Sequence, residues 1–75
     1  MDITVDVVRH IGFLGEEKPW KNELNMVSWN GAQAKYDIRA WDSAHERMSR
    51  GITMTAEEAK TLYALLKEEF DKEAK

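Results

Sequence analysis

Hydrophobic and polar residues alternate along the first half of the chain, which is the pattern of β-strands with two unlike faces. The alternation predicts strands over residues 3–14, 20–29 and 35–42. Glycine and proline punctuate residues 15–19, where we expect a turn. Ile52-Thr53-Met54 predicts a short fourth strand, and residues 43–51, which lack clean periodicity, are expected to form a crossing loop.

The last third of the chain changes to the periodicity of a helix. Thr55 and Glu58 have the spacing of a capping box, in which each side chain accepts a hydrogen bond from the backbone N–H of the other residue. A helix is predicted to follow over about residues 56–72. Its apolar side chains recur at spacings of three and four, at Ala59, Leu62, Tyr63, Leu66 and Phe70. Leu65 widens this stripe, which favours a second packing partner.

The two central strands are predicted to form a hairpin whose faces differ. One face carries Trp20, Leu24 and Met26 from the second strand and Tyr36, Ile38 and Ala40 from the third; the other carries Lys21, Glu23, Asn25, Val27 and Trp29, then Lys35, Asp37, Arg39 and Trp41. A five-residue loop starting at Asn30-Gly31 places Met26 opposite Ile38. A three-residue loop has the same parity and stays open, whereas a slip by one residue would mix the faces.

Length and composition narrow the class of protein. Seventy-five residues, 43% hydrophobic and 33% charged, predict a single globular domain over residues 1–75. No apolar run is long enough to span a membrane and no secretory signal precedes the domain, so we expect no membrane partner and a cytoplasmic, nucleoid-associated location. Cysteine is absent, which excludes disulfides as a source of stability. Domains this small commonly gain stability by oligomerisation instead, and we expect a homodimer.

Charge is distributed unevenly along a chain whose formal net charge is −3. Between residues 18 and 53, six lysine and arginine side chains stand against four acidic ones. The first seventeen residues and the predicted helix carry the negative excess. The distribution therefore leaves the central hairpin as the place where a polyanion could bind.

Two large aromatic residues fall on the cationic face of that hairpin. Trp29 and Trp41 share their parity with Lys21, Lys35 and Arg39. Such a combination suits single-stranded nucleic acid, because bases stack on the rings while cations neutralise phosphates. The rings could alternatively pack beneath the crossing loop or against another subunit. Trp20 has the opposite parity and is expected to be structural.

Catalytic and metal-binding patterns are weak. His45 lies between Asp42 and Glu46, but an irregular loop with no second histidine nearby is a poor metal site. His10 is read as a strand-surface residue. Asp37, next to Lys35 and Arg39 on its face, is better explained as an ion-pair partner than as a catalytic carboxylate. We expect no enzymatic activity, no cofactor, no metal and no small-molecule substrate.

The segment Tyr36-Asp37-Ile38-Arg39-Ala40-Trp41, followed by Arg50-Gly51-Ile52-Thr53-Met54-Thr55 and Ala56-Glu57-Glu58, resembles the C-terminal domain of the transcriptional coactivator positive cofactor four. Residues 23–30 and 48–53 resemble more closely the small bacterial YdbC-type branch of that family. The similarity covers about residues 18–70. The joint presence of the Asp-Ile-Arg-x-Trp segment and the Gly-Ile-Thr strand makes it fairly specific.

The resemblance implies an α+β fold: a four-stranded antiparallel curved β-sheet followed by one C-terminal helix, in a Whirly-like homodimer joined through the helices and fourth strands. It also implies sequence-tolerant binding of single-stranded DNA or RNA, in transcription, replication or repair. The implied binding residues are Trp29, Trp41, Lys21, Lys35 and Arg50, with Arg39 and Lys18 as further candidates. Glu23 on the same face predicts modest affinity. The alternative is a small dimeric protein-interaction domain that uses the same aromatic face.

Overall fold

The computed structural model describes residues 3–15 and 20–73. Four strands, β1 (Val5–Phe13), β2 (Trp20–Trp29), β3 (Lys35–Asp42) and β4 (Met48–Met54), precede one helix, α1 (Ala56–Glu73). The strands form one antiparallel sheet in the order β1-β2-β3-β4. The predicted α+β architecture is confirmed. The crossing loop predicted over residues 43–51 is too long, because β4 begins at Met48 and pairs with β3 from there.

The β2–β3 hairpin keeps the predicted parity in a different register. Leu24 pairs with Ile38 and Met26 with Tyr36, which is the register of the three-residue loop left open above, whereas the pairing of Met26 with Ile38 is wrong. Asn30 and Gly31 both have positive φ, 52° and 75°, and the Ala32 N–H donates to the Trp29 carbonyl at 2.9 Å. Asn-Gly thus forms the tight turn that it favours. Additional residues between this turn and Lys35 shift the pairing of the two strands by one position. This shift keeps the two sets of side chains on separate faces of the hairpin.

Strand β1 departs from the single alternation that its sequence predicts. Its pairing with β2 is interrupted between Val7 and Arg9 and again between His10 and Gly12. Each extra residue exchanges the faces of the strand, as β-bulges do. Val7 lies opposite Val27, and His10 lies opposite Asn25. Both side chains therefore lie on the same side of the sheet, although one position is odd and the other even.

Strand β4 approaches β3 so closely that one position must be glycine. Gly51 pairs with Arg39, and a Cβ atom at Gly51 would overlap the Ile38 carbonyl oxygen and the Arg39 Cβ. The next pairs along the strand are irregular between Arg39 and Trp41. The Gly-Ile step of the sequence therefore has a steric cause, since the absence of a side chain lets the two backbones meet.

Helix α1 begins at the predicted capping box. The Thr55 N–H donates to Glu58 Oε1 at 2.9 Å, and the Glu58 N–H donates to Thr55 Oγ1 at 3.1 Å. The helix lies against β3 and β4, and an apolar groove of about 230 Å³ separates it from the sheet, lined by Leu24, Tyr36, Ile38, Met54, Ala59, Leu62, Tyr63 and Leu66. Within residues 3–15 and 20–73, no helix has the length and apolar character needed to cross a membrane.

Burial is distributed in the opposite way to the sequence expectation. We call the side carrying Leu24, Met26, Tyr36, Ile38, Ala40 and Met54 the helix face, and the side carrying Glu23, Asn25, Val27, Trp29, Asp37, Arg39 and Trp41 the polar face. On the helix face only Met54 is buried, whereas Asn25, Val27 and Asp37 of the polar face are 0% exposed. Trp20, expected to be structural, is 44% exposed at the beginning of β2.

Candidate nucleic-acid interface

The two tryptophans of the polar face are covered by planar side chains. Trp41 is only 6% exposed, and the His45 ring lies parallel to it with 4.2 Å between centroids and 4° between planes. Trp29 is half-buried, and the Arg39 guanidinium carbon lies 4.6 Å from its ring centroid. Trp41 thus packs beneath the loop between β3 and β4, the alternative that the sequence left open, and neither ring stands fully open to solvent. The parity was right, but stacking and cation–π contacts bury rings that the sheet itself leaves uncovered.

Arg39 is held in place by a buried carboxylate. Its Nε donates to Asp37 Oδ2 at 2.6 Å and its second terminal nitrogen donates to Asp37 Oδ1 at 2.8 Å. The Thr53 hydroxyl also donates to Asp37 Oδ1, at 2.8 Å from β4. The predicted ion pair between Asp37 and Arg39 is confirmed. Because the Arg39 side chain is only 11% exposed, the pair fixes the guanidinium over Trp29.

Glu23 connects three elements beneath the polar face. Its carboxylate accepts from Asn25 Nδ2 at 3.1 Å and lies 2.9 and 3.1 Å from His45 Nε2. His10 Nδ1 is 3.6 Å from the same carboxylate and 2.8 Å from Asn25 Oδ1. Glu23 is 4% exposed, so it is not the surface anion that the sequence suggested. The expectation of modest affinity stays a prediction.

The remaining predicted cations lie at different places on the sheet. Lys21 is half-buried, with its ammonium 4.7 Å above the Phe13 ring. Lys35 and Arg50 are exposed, at the beginning of β3 and within β4. Lys18 lies outside the described residues. The structure thus brings Lys21, Trp41 and His45 together around one small cavity of about 160 Å³, while Lys35 and Arg50 lie apart from it.

The loop between β3 and β4 is organised by Asp42. Its Oδ1 accepts from the backbone N–H groups of Glu46 at 2.8 Å and Arg47 at 3.1 Å. The Arg47 hydrogen bond, followed by that from Glu46, lowers the pKa of the Asp42 carboxyl below its ordinary value despite an opposing desolvation effect. His45 has a left-handed backbone, with φ at 60°. This loop is what delivers His45 to Trp41.

The indole N–H groups of Trp29 and Trp41 are buried and have no hydrogen-bond partner among residues 3–15 and 20–73. A buried donor without an acceptor costs about 1–3 kcal/mol. Native structures contain few such groups. Both belong to the aromatic cluster of the polar face.

His45 and Glu23 are the contributors that sequence reasoning did not identify as part of the site. His45 lies in a segment without periodicity, and nothing local indicates that its ring meets Trp41. Glu23 was placed on the correct face, but its contact with His10 arises only because the bulge between Val7 and Arg9 brings His10 to the polar face. The sequence did carry one signal for this contact: a histidine follows closely after Trp41, in the Asp-x-x-His segment after β3.

Together these features define a β-β-β-β-α protein whose sheet presents an aromatic and cationic face. The family model described as Transcriptional Coactivator p15 (PC4) matches residues 16–65. A relative from Treponema pallidum (strain Nichols), named only "Uncharacterized protein", is 41% identical over 66 residues, which cover 87% of this chain and 78% of the relative. The chain belongs to the PC4 family, as the sequence resemblance predicted. Family membership indicates nucleic-acid binding and a coactivator-like role, in a family of non-enzymatic proteins.

Proposed function

We propose that the protein is a homodimer that binds single-stranded DNA, and RNA through the same contacts, with little sequence preference. The observation that carries the proposal is the clustering of stacked rings and cations on the polar face: His45 on Trp41 and Arg39 on Trp29, with Lys21 beside them. Membership in the PC4 family supports the same ligand class. The biological setting would be regulation of transcription, replication or repair.

Single strands suit this surface better than a duplex. Aromatic platforms bind the π-face of a base, which a duplex hides within its stack, and every base offers such a face. Phosphates would be neutralised by Lys35, which is exposed on β3 and pairs with Val27 of the polar face, and by Arg50, which is exposed on β4. Sequence tolerance follows, because stacking and phosphate contacts carry little information about base identity.

The proposed homodimer rests on surface that one copy leaves uncovered. The chain exposes 6128 Å², about 1,400 Å² more than expected for a compact monomer of 8.7 kDa. Much of the apolar part lies on α1, where Tyr63 is 67% and Phe70 is 62% exposed, and on β4, where Ile52 is 57% exposed. A standard interface buries about 800 Å² per partner. A second copy that packs its α1 and β4 here would cover this surface.

The experiment is a titration of the full chain with fluorescently labelled oligo-dT, with anisotropy as the readout, beside the matching duplex. We expect tighter binding to the single strand and a dissociation constant that rises with salt as counterions are released. Lys35→Gln should reduce the slope of log K against log salt by up to about 0.7, the value for one phosphate contact on a single strand. Lys60→Gln, on the exposed surface of α1, is the matched control and should leave the slope unchanged.

Equal affinity for duplex and single strand, or binding that does not respond to salt, would contradict the proposal. Absence of binding to any oligonucleotide by a correctly folded dimer would favour the protein-interaction alternative, in which the same aromatic face meets a protein.

A further inference from the structure

His45, rather than Trp41, presents the accessible ring at the centre of the site. One face of the imidazole lies flat on Trp41 and the opposite face points away from it. The His45 side chain is 40% exposed, whereas Trp41 is 6% exposed. A planar ligand that approaches the polar face at this position therefore meets the imidazole first.

The ring of His45 is fixed by contacts on two sides. Its Nε2 lies 2.9 and 3.1 Å from the two carboxylate oxygens of Glu23. Because a carboxylate only accepts, Nε2 must carry the proton in this arrangement. Trp41 supports the ring from below, so both its tilt and its rotation are determined before any ligand arrives. Such preorganisation lowers the cost of binding.

The backbone that carries this ring is held in a sparsely populated conformation. His45 has φ at 60°, and its N–H donates to the Asp42 carbonyl at 3.0 Å while the Asp42 carboxylate binds the two following N–H groups. A left-handed backbone at a residue other than glycine persists only where its surroundings determine it, and such positions cluster at functional sites. The loop maintains this strain in order to hold His45 on Trp41.

We propose that His45 is the base-stacking platform of the site, with Trp41 as its support and Glu23 as its positioning residue. This inference rests on the proposed binding of single-stranded nucleic acid and adds a residue to it. A nucleobase stacks on the outer face of the imidazole and extends the parallel pair to three rings. Histidine is among the side chains on which unstacked bases are bound.

The opposite arrangement would make His45 a plug that must leave before a base reaches Trp41. That route requires loss of both Nε2 contacts to Glu23 and rearrangement of the loop held by Asp42. Stacking on the outer face requires no movement of the protein. The two arrangements predict opposite changes in affinity when the ring is removed. Removal of a plug should strengthen binding, whereas removal of a platform should weaken it.

His45→Asn distinguishes them, since asparagine tolerates the left-handed backbone but offers no ring. Lys60→Gln, on the exposed surface of α1, is again the control, because it leaves the Glu23–His45–Trp41 contacts of the polar face intact. Circular dichroism and a urea melt would establish that both variants are folded. Anisotropy titrations with labelled oligo-dT should then show binding weakened about 5- to 150-fold for His45→Asn, which corresponds to one lost base stack. Lys60→Gln should bind within about twofold of the wild type.

A second ligand separates the contribution of the bases to binding from that of the phosphates. An oligonucleotide in which abasic sites replace the bases retains the phosphates, so wild type and His45→Asn should bind it equally. Equal or tighter binding of oligo-dT by His45→Asn, with normal binding by the wild type, would overturn the platform and leave the proposed function intact. A wild-type protein that does not bind oligo-dT would overturn both.

Discussion

Asp37 binds Arg39 through two hydrogen bonds, of 2.6 and 2.8 Å, although Asp37 is 0% exposed and lies on the face of the sheet expected to be polar and open. The two residues are separated by one position on β3, so their side chains leave the same face. The pair aims the guanidinium at Trp29, 4.6 Å from the ring centroid. A buried ion pair therefore organises one half of the aromatic cluster, as Glu23 and His45 organise the other.

Loss of the buried partner should destabilise the fold. Asp37→Ala leaves the mostly buried Arg39 without its carboxylate and should lower the free energy of unfolding by about 3–5 kcal/mol. Urea denaturation measures the change. Asp71→Ala is the control, because it removes the exposed Lys67–Asp71 pair on α1, which should contribute less than about 1 kcal/mol. Similar melts for the two variants would mean that the Asp37 pair does not hold the sheet together.

Truncation of the tryptophans should follow their burial and not their parity. Trp41→Ala removes a ring that is 6% exposed and should cost about 3–5 kcal/mol of stability. Trp20→Ala removes a ring that is 44% exposed, and its effect should be near the 0.5 kcal/mol or so usual for surface changes. Urea melts of the two variants test this order. A larger shift for Trp20→Ala would restore the sequence-based assignment of Trp20 to the core.

Dimerisation should depend on the apolar stripe of α1. Leu66→Glu places a charge in the stripe, where Leu66 is 44% exposed in the single chain, and should shift sedimentation equilibrium from twice 8.7 kDa towards 8.7 kDa at micromolar concentration. Ala64→Glu introduces the same side chain at an exposed position off the stripe and should sediment as the wild type does. A wild-type protein that remains a folded monomer at this concentration would contradict the proposed homodimer.

Acid should loosen the loop that holds His45. The pKa of Asp42 is lowered in the folded state, so its carboxylate contributes stability that is complete above the ordinary value of 3.8 and is lost as pH falls through the lower folded value. Tryptophan fluorescence, sensitive to the His45–Trp41 stack, should therefore change in this acid range. Asp42→Asn keeps an acceptor oxygen that does not titrate, and this component of the transition should be missing from its curve. Identical acid curves for the two proteins would contradict the role assigned to Asp42.

Local patterns of the sequence were sufficient for the helix, for β2 and β3, and for which side chains share a face of the hairpin, but not for the beginning of β4 at Met48 or the bulges of β1. The capping box at Thr55 and Glu58 involves residues three positions apart, so its hydrogen bonds follow from the sequence once a helix forms. Alternation along β2 and β3 likewise determines the two faces, because successive side chains of a strand point in opposite directions. The bounds of α1 agree with these patterns, and the four-stranded antiparallel sheet agrees with what the family resemblance implies.

Tertiary structure decided what covers each face. The bulge of β1 between Val7 and Arg9 brings His10 to Glu23, and the loop after Asp42 brings His45 to Trp41; neither contact involves residues near one another along a regular element. Burial of a ring depends on which distant side chain lies on it, and hydrophobic patterning is silent on that partner. The sequence by itself therefore determined the sheet, the helix and the membership of the polar face. Only the folded chain decided that Trp41 is enclosed and that His45 presents the outer ring.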